Sequence, residues 1–356
     1  MYYNIVNLQK DEHFMIQKTY SFIKEGKTND VYTLTNKNGC EVDILTYGAR
    51  LIRLSIPDRN GVFSDCLVGC KNPEDYYGAP HYFGATIGRY GNRIENSSFT
   101  INGNVYHVEA NEGKHSLHGG FSANFDCQIW DAEIDGNSLI LKHVSPDGAG
   151  GYPGTLCVCV RFTLTDDNAL EIDYKAISDK DTLCNLTNHA YFNIGNKDTV
   201  LEQELMINAK QITPVDDKLI PHGDFMDIDG TPYSFLPAKR LGKDMFSSAP
   251  MIKGCNGYDF NYCLLRTGKG LEHFAYVYDK ETGRRMDCYT TLPGVQLYTA
   301  CVTGGFKGKK DYVTHCALCL ETQGFPNSPN CPAYPSTLLK AGEEYHETTV
   351  YKFSIQ

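Results

Sequence analysis

Asn185–Gly195 reads Asn-Leu-Thr-Asn-His-Ala-Tyr-Phe-Asn-Ile-Gly and sets one histidine, His189, among amide and aromatic side chains. Histidine is the side chain best suited to giving and taking protons near neutral pH. Tyr191 and the asparagines can hydrogen-bond a polyhydroxylated ligand, and the rings can stack on it. A carboxylate suited to partner His189 is Glu321, at the end of the apolar run Ala317-Leu318-Cys319-Leu320. Burying a carboxylate is costly without partners. The non-catalytic readings are a buried His189 satisfied by Asn185 or Asn188, and a Glu321 paired with an arginine near a sheet edge.

The elements that would position this pair are strands. Alternation places Leu183, Asn185, Thr187 and His189 on one face of a strand, with Cys184, Leu186 and Asn188 on the other. Ala169–Ser178 alternates apolar and charged residues, as in a strand with one wet face. Asn102-Gly103 and Asp135-Gly136 mark hairpins over 98–108 and 128–144. Pro73 opens one helical turn over 72–77. Further strands are expected at 156–164, 204–209, 273–279, 285–292, 295–301, 315–322 and 345–354. Long helical periodicity is absent. Many strands spaced by Gly, Asn, Asp and Pro turns predict an all-β fold, a large antiparallel β-sandwich. The expected organisation is an N-terminal arm over 1–26 packed on one catalytic domain over 27–356.

The chain has 356 residues and a formal net charge of −10. That charge argues against nucleic acid or an anionic membrane as the main partner. Charged residues interrupt the first 26 positions, so no secretory signal is read there, and a cytoplasmic location is expected. The 14 cysteines are too few for a disulfide scaffold and are expected to be reduced. Cys316 and Cys319 follow His315, but residues three apart on a strand face opposite sides and cannot grip one ion. Cys157 and Cys159, between Leu156, Val158 and Val160, suggest a strand buried on both faces. Gly148–Gly151 precedes Tyr-Pro-Gly rather than a helix, which excludes a dinucleotide loop. Gly304–Lys310 is basic and reads as a surface excursion, with a phosphate-grasping loop as the alternative.

Seven motifs in order now carry a resemblance. They are Gly88-Arg89-Tyr90-Gly91-Asn92-Arg93-Ile94, Leu117-His118-Gly119-Gly120, Ser145-Pro146-Asp147-Gly148 with Gly151-Tyr152-Pro153-Gly154, and Thr187-Asn188-His189-Ala190-Tyr191-Phe192-Asn193. Gly257-Tyr258-Asp259-Phe260, Pro293-Gly294-Val295-Gln296 and Leu320-Glu321-Thr322-Gln323 complete the set. From about Phe22 to Phe353 the chain resembles the aldose 1-epimerases, or galactose mutarotases. The resemblance implies a β-supersandwich with a sugar in an open cleft, and interconversion of the α and β anomers of free aldohexoses such as glucose and galactose. It implies Glu321 as general base and His189 as general acid. It places Asn92, Arg93, His118, Tyr191, Asp259 and Gln296 in contact with sugar. Two departures stand out. Asn124 replaces a usual glycine before Phe125-Asp126, which bears on sugar preference, and Gly91 stands where alanine is common.

Opening a cyclic aldose removes the C1 hydroxyl proton and protonates the ring oxygen. A glutamate of pKa ~4.3 and a histidine of pKa ~6.5 are suited to the two steps, and acids such as Asp259 would raise the histidine and keep it charged. No metal or cofactor is needed. The expected partner is a small aldose, bound by a monomer or homodimer. The rival functions are a non-catalytic carbohydrate-binding sandwich and a hexose-6-phosphate 1-epimerase, which would use Lys307, Lys309 and Lys310. For Arg93, the structural alternative is service as partner to a buried carboxylate.

Overall fold

The computed structural model describes residues 15–356. Strands dominate, and the one α-helix among the described residues is the short Pro250–Cys255. Three sheets carry the architecture. An N-terminal sheet runs in chain order through Met15–Lys24, Lys27–Thr35, Glu41–Leu45, Arg50–Pro57 and Phe63–Asp65. Of the expected N-terminal arm, the part before residue 15 lies outside the described residues, and Met15–Lys24 pairs antiparallel with Lys27–Thr35 as an edge strand. A nine-stranded sheet is ordered 131–135, 138–145, 156–164, 169–178, 344–355, 284–290, 272–278, 204–207 and 239–240. The third sheet, here the cleft sheet, is ordered 226–227, 209–212, 259–264, 294–298 and 319–323.

One apolar cluster joins all three. It takes Leu34, Val42 and Ile44 from the first sheet, Leu141, Val160, Ile172 and Phe353 from the second, and Phe260, Leu297 and Leu320 from the third. The period of two that buries one face of each strand leaves the other face free for polar side chains. This is the all-β sandwich that the strand pattern predicts.

Differences from the sequence reading follow from local chemistry. Cys157 is exposed and Cys159 half-buried, so 156–164 is not buried on both faces. Its inner face is Leu156, Val158, Val160 and Phe162, and the other face meets solvent. The continuous strand expected over 183–189 is instead two short pairings, Thr182–Leu183 with Leu338–Leu339 and Thr187–Asn188 with Thr86–Ile87. Between them a single bridge of Asn185 to the Arg89–Gly91 backbone remains, and asparagine side chains add to it. Asn185 Nδ2 donates to Gly91 O at 3.2 Å, its Oδ1 accepts from Gly324 N–H at 2.7 Å, and Asn188 Nδ2 donates to Gly84 O at 2.9 Å. The strand expected from His315 begins at Cys319. His315 has a left-handed φ of 61°, and its ring Nδ1 contacts Thr299 O at 3.0 Å.

Candidate active site

The cleft sheet brings its polar face to one cavity. Antiparallel register sets Asn261 opposite Gln296 and Gln296 opposite Glu321, while Asp259 lies opposite Tyr298 and Tyr298 opposite Cys319. Side chains alternate, so Asp259, Gln296, Tyr298 and Glu321 share one face, and Phe260, Val295, Leu297 and Leu320 point into the core. His189 arrives from another direction. Its N–H donates to Ala85 O at 2.8 Å and its carbonyl accepts from Gly84 N–H at 2.9 Å. Asn92, Arg93 and His118 come from a third place, where Arg93–Ile94 pairs with Ser116–Leu117.

His189 Nε2 lies 3.6 Å from Glu321 Oε1. Both side chains are buried, and neither His189 Nδ1 nor Glu321 Oε2 has a protein partner. Asn185 and Asn188 are spent on backbone groups, so they do not satisfy His189. Such groups call for an explanation, and in a cavity a ligand that completes the bonding is one. The His189 ring stacks on Tyr191 at a centroid distance of 5.0 Å and 14°. Tyr191 is 2% exposed, so it backs the histidine as well as lining the cavity.

His118 is a hydrogen-bond donor of fixed tautomer. Its Nδ1 accepts the Asn92 backbone N–H at 3.1 Å, and its backbone N–H donates to Asn92 O at 3.0 Å. Burial, then His189 and Arg93, hold its pKa well below the usual histidine range. A neutral ring that accepts at Nδ1 carries its proton on Nε2. Asn92 and His118 both have left-handed φ, 64° and 53°, uncommon away from glycine and typical of held functional loops. The next residue must be glycine: at Gly119, φ is 88° and a Cβ would lie 2.2 Å from Gly88 O.

Charges in the cavity are mutually adjusted. Burial raises Glu321 well above the ordinary carboxylate range; Asp259 adds to this and Arg93 opposes it. Burial also pushes His189 down to about 3. The expectation that acids such as Asp259 raise His189 is therefore wrong; Asp259 acts on Glu321, and desolvation dominates the histidine. Asp259 is raised by burial against the pull of Arg93, and its Oδ1 accepts from Gln296 Nε2 at 2.6 Å. Arg93 does pair with a carboxylate, Glu112, through Nε–Oε2 at 2.6 Å and Nη2–Oε1 at 2.8 Å, yet it also lines the cavity.

The cavity holds about 440 Å³ and is lined by all eight residues singled out in the sequence: Asn92, Arg93, His118, His189, Tyr191, Asp259, Gln296 and Glu321. That volume suits a small ligand held by a few convergent polar groups. The aldose 1-epimerase family profile matches residues 30–352. This chain belongs to the aldose 1-epimerase family. It is 40% identical to galactose mutarotase of Rattus norvegicus over 319 residues, 88% of this chain and 91% of that one. It is 34% identical to aldose 1-epimerase of Escherichia coli K12 over 345 residues, 95% and 99% of the two chains. Among solved structures, galactose 1-epimerase from Lactobacillus acidophilus NCFM superposes with a TM-score of 0.85 at 26% identity, covering 96% and 98% of the two chains.

Sequence reasoning missed several residues that line this epimerase-family cleft: His81, Tyr82, Glu112, Asp217 and Tyr298. Tyr298 was within reach, because it stands two positions after Gln296 on the same strand face. Tyr82 stacks parallel to His189 at 5.9 Å and meets His118 edge-on at 4.8 Å. It comes from an irregular segment in which His81 and Tyr82 both have positive φ, and no periodicity announces it. The basic loop lies elsewhere. Lys309 Nζ donates to Ile52 O at 2.7 Å and Leu67 O at 3.2 Å, and Lys310 pairs with Asp198 at 3.2 Å. His118, His189 and Glu321 bring one ligand atom each within 4.8 Å of one another, the group among the described residues able to approach a metal ion.

Proposed function

We propose that this chain is an aldose 1-epimerase that interconverts the α and β anomers of free aldohexoses such as glucose and galactose. The observation that carries the reading is the His189–Glu321 pair, 3.6 Å apart in the cleft, each with one buried atom that no protein group satisfies. One member takes the C1 hydroxyl proton while the C1–O5 bond breaks, and the other protonates O5. The aldehyde turns about C1–C2, and closure runs the same transfers backwards from the other face. In ring opening Glu321 acts as base and His189 as acid; in ring closure they exchange roles. The pair needs one proton between its two members, and after opening that proton sits on Glu321. Burial favours this arrangement, because it leaves both groups uncharged. Each transfer contributes about 10²–10⁴-fold.

His118 Nε2–H and the free Arg93 Nη1 are placed to donate to sugar oxygens where charge develops. Asp259 and Gln296 contact hydroxyls further round the ring, with Asn92 holding His118 in place. Tyr82 and Tyr298 supply aromatic walls. The enzyme works as a monomer or homodimer in the cytoplasm, on a small sugar rather than on nucleic acid or membrane. No lysine lines the cleft among the described residues, which weighs against a hexose 6-phosphate as substrate. The test is polarimetry of freshly dissolved α-glucose and α-galactose with the purified protein. Accelerated approach to the equilibrium rotation is expected; a rate equal to buffer alone would refute the assignment.

A further inference from the structure

The Arg93 guanidinium is the single Lys or Arg side chain lining the cleft among the described residues, against the acids Glu112, Asp217, Asp259 and Glu321. A buried guanidinium facing a ligand cavity is the natural receptor for a carboxylate or phosphate, because its planar fork matches two oxygens at once. Here its Nε–Nη2 edge is already taken and its charge is paired. Glu112 Oε2 accepts from Nε at 2.6 Å and Oε1 from Nη2 at 2.8 Å, while Nη1 donates to no protein acceptor among the described residues. The guanidinium is buried, with 8% of its side chain exposed, whereas Glu112 retains 37%. Glu112 therefore reaches in from the rim and neutralises the one cation of the cleft. Three N–H bonds remain, two on Nη1 and one on Nη2, but the charge behind them is already compensated by Glu112. Asp259 is committed to Gln296, and with Asp217 it leaves the remaining field negative.

We propose that Glu112 sets the charge selectivity of the cleft. By compensating the Arg93 charge it weakens the guanidinium as an anion receptor, so neutral aldoses enter and aldoses carrying a carboxylate or phosphate are excluded. This rests on the reading of the cleft as an aldose 1-epimerase site. Glu112 is a positioning residue that acts through Arg93, and the exclusion is electrostatic rather than steric.

Glucose, glucuronate and glucuronamide share one ring and differ at C6 in charge and in a few atoms. Their anomer exchange is followed by NMR for the wild type, Glu112→Gln, Glu112→Asp and the double variant Glu112→Gln/Arg93→Gln. In Glu112→Gln the ratio of kcat/KM for glucuronate to that for glucose is expected to rise about tenfold or more, the effect of removing one unit charge a few ångström from the ligand. The glucuronamide ratio should not move. Glu112→Asp keeps the charge and should keep the wild-type ratio, and the double variant should lose the gain. An unchanged glucuronate ratio in a natively folded Glu112→Gln protein overturns the proposal, as does an equal gain for glucuronamide. The wild type provides a check independent of folding. Raising ionic strength from about 0.05 to 0.5 M screens the repulsion and should speed glucuronate relative to glucose; no relative change also overturns it. Calorimetric binding of glucuronate to wild type and Glu112→Gln separates the two hypotheses. A gain in binding supports the role of Glu112 even if glucose anomers are not interconverted.

Discussion

Burial acts on the two residues of the pair in opposite senses, and that fixes what each should do when changed. Glu321→Gln keeps the shape and loses the proton-accepting oxygen, so kcat should fall by about 10³-fold or more while sugar still binds; activity within a few-fold of wild type would remove Glu321 from the mechanism. The same substitution should stabilise the fold at neutral pH. Glu321 is raised well above the ordinary carboxylate range in the folded state. Its protonated form thus contributes stability below the unfolded value of ~4.3, and this is lost as pH rises through the folded value. Glutamine carries no charge at either end of that window. The melting temperature of the variant should therefore exceed wild type at pH 7–8, and the gain should vanish towards pH 4. The pH–rate profile follows the same logic. The second proton of the pair falls on His189, held down to about 3, and the first leaves the raised Glu321. The pair titrates as a unit. Wild-type kcat/KM should stay level through neutral pH, fall towards pH 3, and fall again on the alkaline side. A single midpoint near 6.5, that of a free histidine, would contradict the buried pair. Dialysis against a chelator should leave the rate unchanged, although His118, His189 and Glu321 converge. His118 gives its Nδ1 to the Asn92 backbone N–H and carries its proton on Nε2, and burial disfavours the charged form of Glu321, so the three atoms are not free to close on an ion. Loss of activity restored by a metal would show that they are.

Among the elements, the stretch from Asn185 to His189 combines short backbone pairings with side-chain bonds to neighbouring segments. Asn185 ties Gly91 beside Asn92, and Gly324 just beyond the Glu321 strand, to the segment that carries His189. Its side chain thus bonds both other carriers of the site. Asn185→Ala leaves the Gly324 N–H and the Gly91 carbonyl buried with fewer partners, and should cost about 3 kcal/mol in urea unfolding. The rate should drop as well, since acid and base would no longer hold their 3.6 Å spacing. A variant of wild-type stability and kcat would show that the backbone alone sets the geometry.

At the scale of the whole molecule, the cysteines and lysines that suggested other chemistry belong to the packing. All 14 cysteines are free thiols, and Cys316 contacts Thr303 Oγ1 at 3.3 Å rather than a metal-binding partner. Lys309 stitches the Gly304–Lys310 loop to the N-terminal sheet through Ile52, Leu67 and Asp65. Lys309→Ala should therefore cost about 1–3 kcal/mol of stability. It should leave the preference for glucose over glucose 6-phosphate unchanged. A clear preference for the phosphorylated sugar in the wild type, lost in the variant, would revive the phosphate reading. No helix of the described residues is long and apolar enough to cross a membrane.

Strand content was legible in the sequence for local reasons. Alternation at Ala169–Ser178 and the turns at Asn102-Gly103 and Asp135-Gly136 are short-range signals, and the structure forms those strands and hairpins. Glu321 and His189 were singled out because the motifs around them match a family; on local grounds a buried histidine satisfied by an asparagine and a carboxylate paired with an arginine stayed open. The two-sided burial of 156–164 was misread, since apolar thiols look alike to the pattern whichever face they take. What tertiary structure decided was every property that depends on distance between segments remote in sequence. Residue 189 meets residue 321 because Phe192 and Leu318 exchange backbone hydrogen bonds and Asn185 binds Gly324 and Gly91 across the fold. Glu112 reaches Arg93 only through the pairing of Ser116–Leu117 with Arg93–Ile94. The directions of the pKa shifts belong to this second class. They are set by how much water three converging segments exclude, and a sequence carries no measure of that until the chain has closed around the cleft.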